Sequence, residues 1–185
     1  ASETDFEVIS ALCARFPRTR AVLGGKTRSD SVRNALKAAT GEIVLVHDGA
    51  RPFVSEEIIS GCISSVSRFG SGICAVPAVD TVAVSENGYI GAVPPRDKVF
   101  ALQTPQGFYT EELRRAYTAA EKEGGTYTDD SSVYAAFIGA PRLCAGAREN
   151  KKLTFPEDFA DNCARAGFGV DTHAFGKKQD FILLA

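Results

Sequence analysis

Methionine is absent from this chain of 185 residues, so Ala1 is not a translational start and the sequence is expected to be cut at its front. It is expected to be cut behind as well, because Asp180-Phe181-Ile182-Leu183-Leu184-Ala185 stops inside an apolar run with no polar tail. The apolar runs are strand-sized, which excludes a membrane span, and no basic-then-apolar leader points to export. Neither sign of charge is in excess: Lys and Arg number 21 against 23 Asp and Glu, a net charge of −2. No global surface for nucleic acid or membrane follows from that balance, and any anion site must be local. The five cysteines, Cys13, Cys62, Cys74, Cys144 and Cys163, are scattered without C-x-x-C spacing. An odd number without metal-ligand spacing fits reduced thiols in a cytoplasmic protein better than a disulfide framework. Internal repeats and low-complexity segments are lacking too. What remains is an ordinary composition, 44% hydrophobic and 24% charged, in a length that suits one α/β domain with a sizeable core.

The most informative stretch is Glu42 to Pro52, EIVLVHDGARP. Ile43-Val44-Leu45-Val46 is an uninterrupted aliphatic run, the pattern of a strand buried on both faces inside a parallel sheet. It stops at His47-Asp48-Gly49-Ala50-Arg51-Pro52, which places an acid, a glycine and a base at the carboxyl end of the strand, where open α/β sheets bind ligands. Asp48 is a hard oxygen ligand suited to Mg²⁺, which takes one or two protein carboxylates and keeps waters and substrate phosphates. Gly49 admits a ligand close to the backbone, and Arg51 offers planar donors to phosphate oxygens. The residues alone leave a second reading open, because Asp-Gly is an ordinary turn dipeptide. In that reading Asp48 caps the turn, Arg51 pairs with a carboxylate and His47 is a satisfied, half-buried histidine.

Along the rest of the chain, Thr4 or Asp5 caps a helix through Phe6, Val8, Ile9 and Leu12. Arg20 to Leu23 reads as a short strand closed by Gly24-Gly25. Lys26 to Ser31 opens a helix through Val32, Ala35, Leu36 and Ala39, a start able to present N–H groups to an anion. Ser55 caps a helix with the stripe Ile58, Ile59, Cys62, Ile63 and Val66, and Ile73 to Pro77 is a second buried strand. Thr81 to Val93 carries a hairpin signal with Asn87-Gly88 as its tight turn. It reads as a projecting arm or as a simple edge hairpin. Thr110 caps a helix from Glu111 to Glu123, and Thr128-Asp129-Asp130 caps another ending at Gly139. Arg142 to Ala145 is the last strand, and Pro156 opens a helix over Glu157 to Arg165. The alternation gives an α/β class with a largely parallel sheet.

Six motifs, GGKTRSDSV, VLVHDGARP, PAVDTV, PPRDKVFALQTPQGF, TDDSS and ENKKLTFPED, stand in the order and spacing of one family. From Val22 to about Arg165 the chain resembles 2-C-methyl-D-erythritol 4-phosphate cytidylyltransferase. The resemblance implies a Rossmann-like nucleotidyltransferase sheet with helices on both faces and a projecting β-hairpin arm. It implies transfer of CMP from CTP to methylerythritol phosphate, giving 4-diphosphocytidyl-2-C-methyl-D-erythritol and pyrophosphate, with Mg²⁺, in non-mevalonate isoprenoid biosynthesis. By family correspondence, Gly25, Arg28 and Ser31 hold the cytidine, and Asp48 holds Mg²⁺ beside the α-phosphate. Arg51, Thr81 and Arg96 position the methylerythritol phosphate, with Gly49 and Thr104 also on the substrate side. Lys152 stabilises charge on the α-phosphate, with Lys151 one place off register. Asp48, Lys152 and Arg96 are thus the implied catalytic set. In the family Thr81 and Arg96 come from the partner's arm, so the Thr81–Lys98 arm implies a homodimer.

Gly167 to Gly176, GFGVDTHAFG, resembles the opening strand of 2-C-methyl-D-erythritol 2,4-cyclodiphosphate synthase. Asp171 and His173 would be its ligands for a divalent metal such as Zn²⁺, two apart and so on one face of a strand. Some bacteria fuse the two enzymes, so the order implies a cytidylyltransferase domain over 1–165 and the start of a synthase domain over 166–185. The family begins with a strand and a glycine-rich loop that wraps the triphosphate, and Gly24-Gly25 is not that loop. This stretch by itself is therefore expected to be inactive in both reactions. Two rivals are another sugar-phosphate nucleotidyltransferase, which needs different base contacts, and a non-catalytic dimerising remnant.

Overall fold

In the computed structural model of the chain, residues 1–159 and 182–184 are described. The sheet order is β6-β2-β5-β1-β7, formed by β1 (Ile43–Asp48), β2 (Ser71–Pro77), β5 (Phe100–Tyr109), β6 (Leu143–Ala145) and β7 (Ile182–Leu184). A separate two-stranded ribbon pairs β3 (Val84–Glu86) with β4 (Tyr89–Ala92). The helices are α1 (Phe6–Cys13), α2 (Arg28–Ala38), α3 (Glu56–Phe69), α4 (Thr110–Glu123) and α5 (Asp130–Phe137).

Strand alternation assigns the helices to the two faces of the sheet. Val44, Val46, Ile73 and Phe108 pack with Val32 and Leu36 of α2, Leu113 and Tyr117 of α4, and Val133 of α5. The residues between them, Leu45 and Cys74, point the other way, to Ile58, Ile59 and Cys62 of α3. Each such side chain contributes roughly 1.5–3 kcal/mol on leaving water. The expected helices on both faces are present, and so is the buried Ile43–Val46 strand, which lies between β5 and β7.

Four of the five sheet strands run parallel, but β5 is antiparallel to both its neighbours, β1 and β2. The alternation of elements missed this reversal because an arm lies between β2 and β5. The chain leaves the carboxyl end of β2, forms the β3–β4 ribbon and re-enters at the same end, with Phe100 opposite Pro77. A strand that returns from the end where its neighbour finished must run backwards.

Local chemistry fixes most helix starts as expected. Thr27 accepts from the Asp30 amide while Asp30 accepts from that of Thr27, a capping box for α2; Asp129 and Ser132 do the same for α5. Ser55 caps α3, and Gly70 closes it in the left-handed region that glycine tolerates. Four details differ. Asp5 stands at the start of α1 but makes no side-chain capping hydrogen bond. Thr110 is the first residue of α4 and not its cap, because its hydroxyl donates to Gly41 O at 2.6 Å and ties the helix to the start of β1. Arg20 to Leu23 is not a strand: among the described residues it joins neither the sheet nor the ribbon. The helix expected over Glu157 to Arg165 begins as a 3-10 turn, Pro156–Phe159, and its remainder lies outside the described residues. The synthase-like segment with Asp171 and His173 lies outside them as well.

The ribbon stands away from the core. The turn residues Asn87 and Gly88 have φ of 52° and 84°, the left-handed pair that a tight hairpin needs. Every residue from Asp80 through Val93 is exposed.

Candidate active site

The site grows from the carboxyl end of β1. Asp48 is the last residue of that strand, and its amide donates to Thr104 Oγ of β5 at 2.9 Å. The same hydroxyl lies 3.0 Å from His47 Nδ1, while His47 Nε2 lies 2.9 Å from Arg51 O. A carbonyl only accepts, so Nε2 carries the ring proton and Nδ1 accepts from Thr104. Burial pushes the His47 pKa down, which agrees with a neutral ring. His47 is thus the satisfied, half-buried histidine of the second sequence reading, and it serves as a brace between Thr104 and the Asp48–Arg51 turn.

Three cations face Asp48. Lys152 Nζ is 3.0 Å from one carboxylate oxygen, with Arg51 Nε at 3.9 Å from it, and Arg28 is 3.7 Å from the other. Each arrives by a different route. Arg28 opens α2 and is held at 2.7 Å by Asp130, whose other oxygen accepts from Tyr117 at 2.6 Å. Arg51 donates to Asn150 O at 2.8 Å. Lys152 follows because the next residue, Leu153, donates its amide to Ala50 O at 2.8 Å, which clips the 151–153 segment against the turn after β1. Of the two adjacent lysines, Lys152 is the one whose ammonium reaches Asp48.

The charges do not cancel. Arg28, Arg51 and Lys152 outnumber Asp48 and Asp130, leaving one positive charge in excess. Arg51 Nε is buried and has no hydrogen-bond partner, although a buried donor without an acceptor costs about 1–3 kcal/mol. Such a donor beside two further cations suits an anion. Asp48 is 20% exposed and Lys152 48%, so a ligand can reach both.

Among the expected site residues, Arg28, Asp48, Arg51, Thr104 and Lys152 are brought together, with Gly49 in the turn between Asp48 and Arg51. Gly25 and Ser31 lie at the mouth of α2, where the Gly25 amide donates to Ser31 Oγ at 3.0 Å. A Cβ on Gly25 would stand 2.1 Å from Asp30 Cβ, so only glycine fits. Thr81 and Arg96 are not joined to the Asp48 group within the single chain; they bind each other at 2.8 Å on the arm.

Two buried residues had no part in the site in the sequence reading. Asp130 is fully buried, and its sequence signal, TDDSS, reads as a helix cap. Capping falls to Asp129, which frees the second acid to hold Arg28. Asn150, also fully buried, donates to Thr104 O at 2.8 Å and supplies the carbonyl for Arg51.

The profile of the family described as IspD, 2-C-methyl-D-erythritol 4-phosphate cytidylyltransferase, matches residues 1–166. A bifunctional enzyme IspD/IspF from Anaeromyxobacter dehalogenans is 40% identical over 177 residues, 89% of this chain and 45% of that protein. A 2-C-methyl-D-erythritol 4-phosphate cytidylyltransferase from Bacillus cereus is 41% identical over 138 residues, 74% of this chain and 61% of that protein. The chain therefore spans about half the length of the first relative and less than two thirds of the second. Among solved structures, a 4-diphosphocytidyl-2C-methyl-D-erythritol synthase from Anaerococcus prevotii superposes with a TM-score of 0.80 at 30% identity, covering 86% of this chain and 76% of that one.

Proposed function

The chain belongs to the IspD, or 2-C-methyl-D-erythritol 4-phosphate cytidylyltransferase, family, and from that premise we propose that its gene product transfers CMP from CTP to 2-C-methyl-D-erythritol 4-phosphate. The observation that carries this reading is the convergence of Arg28, Arg51 and Lys152 on Asp48 at the carboxyl end of β1. A reaction between two phosphate esters needs such a place, because nucleophile and electrophile are both anions and repel each other.

The substrate phosphate is already an anionic nucleophile, so no base has to take its proton. One of its oxygens forms the new bond to the α-phosphorus of CTP, the bond to the β-phosphate oxygen breaks, and pyrophosphate leaves. The protein holds the two in line and neutralises charge gathering on the α-phosphate oxygens. Lys152, half exposed on its stem, turns from Asp48 to those oxygens, while Arg51 offers its unpaired Nε to the incoming phosphate. Arg28 and the Gly25–Ser31 turn face the nucleoside. Asp48 fits Mg²⁺ of the kind that takes one protein carboxylate and completes its shell with water and phosphate, and when bound the ion supplies further charge neutralisation. The ring of cations around Asp48 makes that fit depend on phosphate being present.

We further propose that the arm pairs two copies of the chain, which brings Thr81 and Arg96 of one copy to the substrate phosphate of the other. Val79, Val82, Val84, Tyr89, Ile90 and Val93 are all 43% or more exposed on it, an apolar surface that a second arm would cover. The GFGVDTHAFG motif and the bifunctional relatives support a second, cyclodiphosphate synthase activity in the longer gene product, with Asp171 and His173 as divalent-metal ligands. Among the described residues no helix is long and apolar enough to cross a membrane.

The test is pyrophosphate release by the complete gene product from CTP and methylerythritol phosphate with Mg²⁺. Release is expected with CTP above other nucleotides, absent in Asp48→Asn and reduced at least ~10²-fold in Lys152→Ala, the scale of one preorganised charge contact. Lys152→Ala turnover within a few-fold of the parent would remove Lys152 from the chemistry. Preference for another nucleotide would assign the fold to a different sugar phosphate.

A further inference from the structure

Three sulfurs from distant parts of the chain meet on the α3 side of the sheet. Cys62 belongs to α3, Cys74 to β2 and Cys144 to β6, and the last two are directly opposite in the parallel strand pair. Cys74 Sγ and Cys144 Sγ are 3.6 Å apart, and all three sulfurs lie within 4.8 Å of one another. Cys62 and Cys74 are buried, while Cys144 is half-buried. An ion with metal–sulfur bonds of about 2.3 Å and three sulfurs in its plane sets them about 4.0 Å apart. The Cys74–Cys144 separation is therefore within about half an ångström of a trigonal site, and the 4.8 Å bound on the other two leaves a shift of under ~1 Å to close it. Little has to be given up to form it, since the thiols make only weak hydrogen bonds, such as that of Cys62 to Gly72 O at 3.1 Å.

We infer that Cys62, Cys74 and Cys144 form a binding site for one soft d¹⁰ cation, monovalent copper by preference, at the foot of the loop that leads to Lys152. The number of ligands selects the ion. Among the described residues no fourth His, Cys, Asp or Glu joins the group, so zinc is one ligand short of its closed tetrahedron. Mg²⁺ and Ca²⁺ require oxygen, whereas soft thiolates favour Cu⁺, for which three are enough. On binding, three S–H bonds break, three S–Cu bonds form, three protons go to solvent and no oxidation state changes. The loop after Cys144 is already fastened to the sheet by the Gly146 amide on Ala75 O at 2.9 Å and by Gln103 on Ala147 O at 2.8 Å. A bound ion would add a third fastening on the path to Asn150 and Lys152.

The test uses the whole chain, reduced and kept anaerobic, loaded with Cu⁺ and challenged with a chromogenic Cu⁺ chelator. Retention of one copper per chain is expected, with X-ray absorption showing three sulfurs at about 2.3 Å. Cys62→Ser, Cys74→Ser and Cys144→Ser should each lose at least ~10-fold in affinity. Cys13→Ser and Cys163→Ser, the latter outside the described residues, should lose none. Because Cys144 is the least buried of the three, Cys144→Ser with an unchanged circular dichroism spectrum separates loss of the site from loss of the fold. Retention by Cys144→Ser equal to the parent, two sulfurs in the absorption spectrum, or no copper held by the folded, reduced chain would each overturn the site. Tighter retention of Zn²⁺ than of Cu⁺ would overturn the choice of ion.

Discussion

Asp130→Asn isolates the buried acid on which Arg28 depends. Asparagine keeps the volume of the fully buried side chain and can still accept from Tyr117 O–H, so the change falls on the 2.7 Å contact with Arg28. A hydrogen bond between charged partners contributes about 1.5–3 kcal/mol. Arg28 is 39% exposed and regains water when the charge opposite disappears, which places the loss in the lower half of that range, at about 2 kcal/mol. With a urea m-value of about 2 kcal/mol/M, the unfolding midpoint should fall by about 1 M with m unchanged. Adding Arg28→Ala should cost much less in the Asp130→Asn background than in the parent, a coupling of about 1–2 kcal/mol in the double-mutant cycle. A midpoint that moves by less than ~0.2 M, or a cycle without coupling, would refute the account of Asp130 as the anchor of Arg28.

His47 gives a pH dependence whose sign follows from its burial. Its folded pKa lies below the ordinary 6.5, so the unfolded chain binds the proton first, and stability should be level above about pH 7 and fall as pH drops through 6.5. Urea midpoints across that window should show the slope in the parent and in His173→Gln but not in His47→Gln; a slope that survives in His47→Gln assigns it to another group. Gly25→Ala should push a Cβ into Asp30 and disrupt the capping box of α2, lowering stability by about 1–2 kcal/mol, with a thermal midpoint equal to the parent as the contrary result. If the arm pairs two copies as proposed, the parent should sediment as a dimer and Tyr89→Glu with Ile90→Glu as a monomer at the same concentration. Unchanged association would take the arm out of the interface.

What could be read from the sequence was local. The Ile43–Val46 run, the helix opening over Lys26 to Ser31, the cap at Ser55, the cap within Thr128-Asp129-Asp130 and the Asn87-Gly88 turn each carry their structure within a few residues, and all are present. Asp48, Arg51 and Lys152 were legible because family motifs mark them, and Thr104 came with its motif. Long-range pairing was not legible. The reversed direction of β5 depends on where the arm lets the chain re-enter, and the Thr110 hydroxyl chose a carbonyl 69 residues away over its own helix. Asp130 looked like one half of a capping pair until its partner was found 102 residues upstream. The cysteines offered no metal spacing because their proximity arises from three separate elements and not from a motif.

β5 is ten residues long and belongs to two environments at once. Its first three residues, Phe100, Ala101 and Leu102, are exposed, while Gln103 to Phe108 are buried and include the threonine on which the Asp48 amide rests. The strand joins the base of the arm to the carboxyl end of β1, but its pairing with β2 slips by two residues between Leu102 and Gln106, around Thr104. A load applied to the arm is therefore met at that slip, so Thr104 is both the prop of the Asp48 amide and the place where the strand can give.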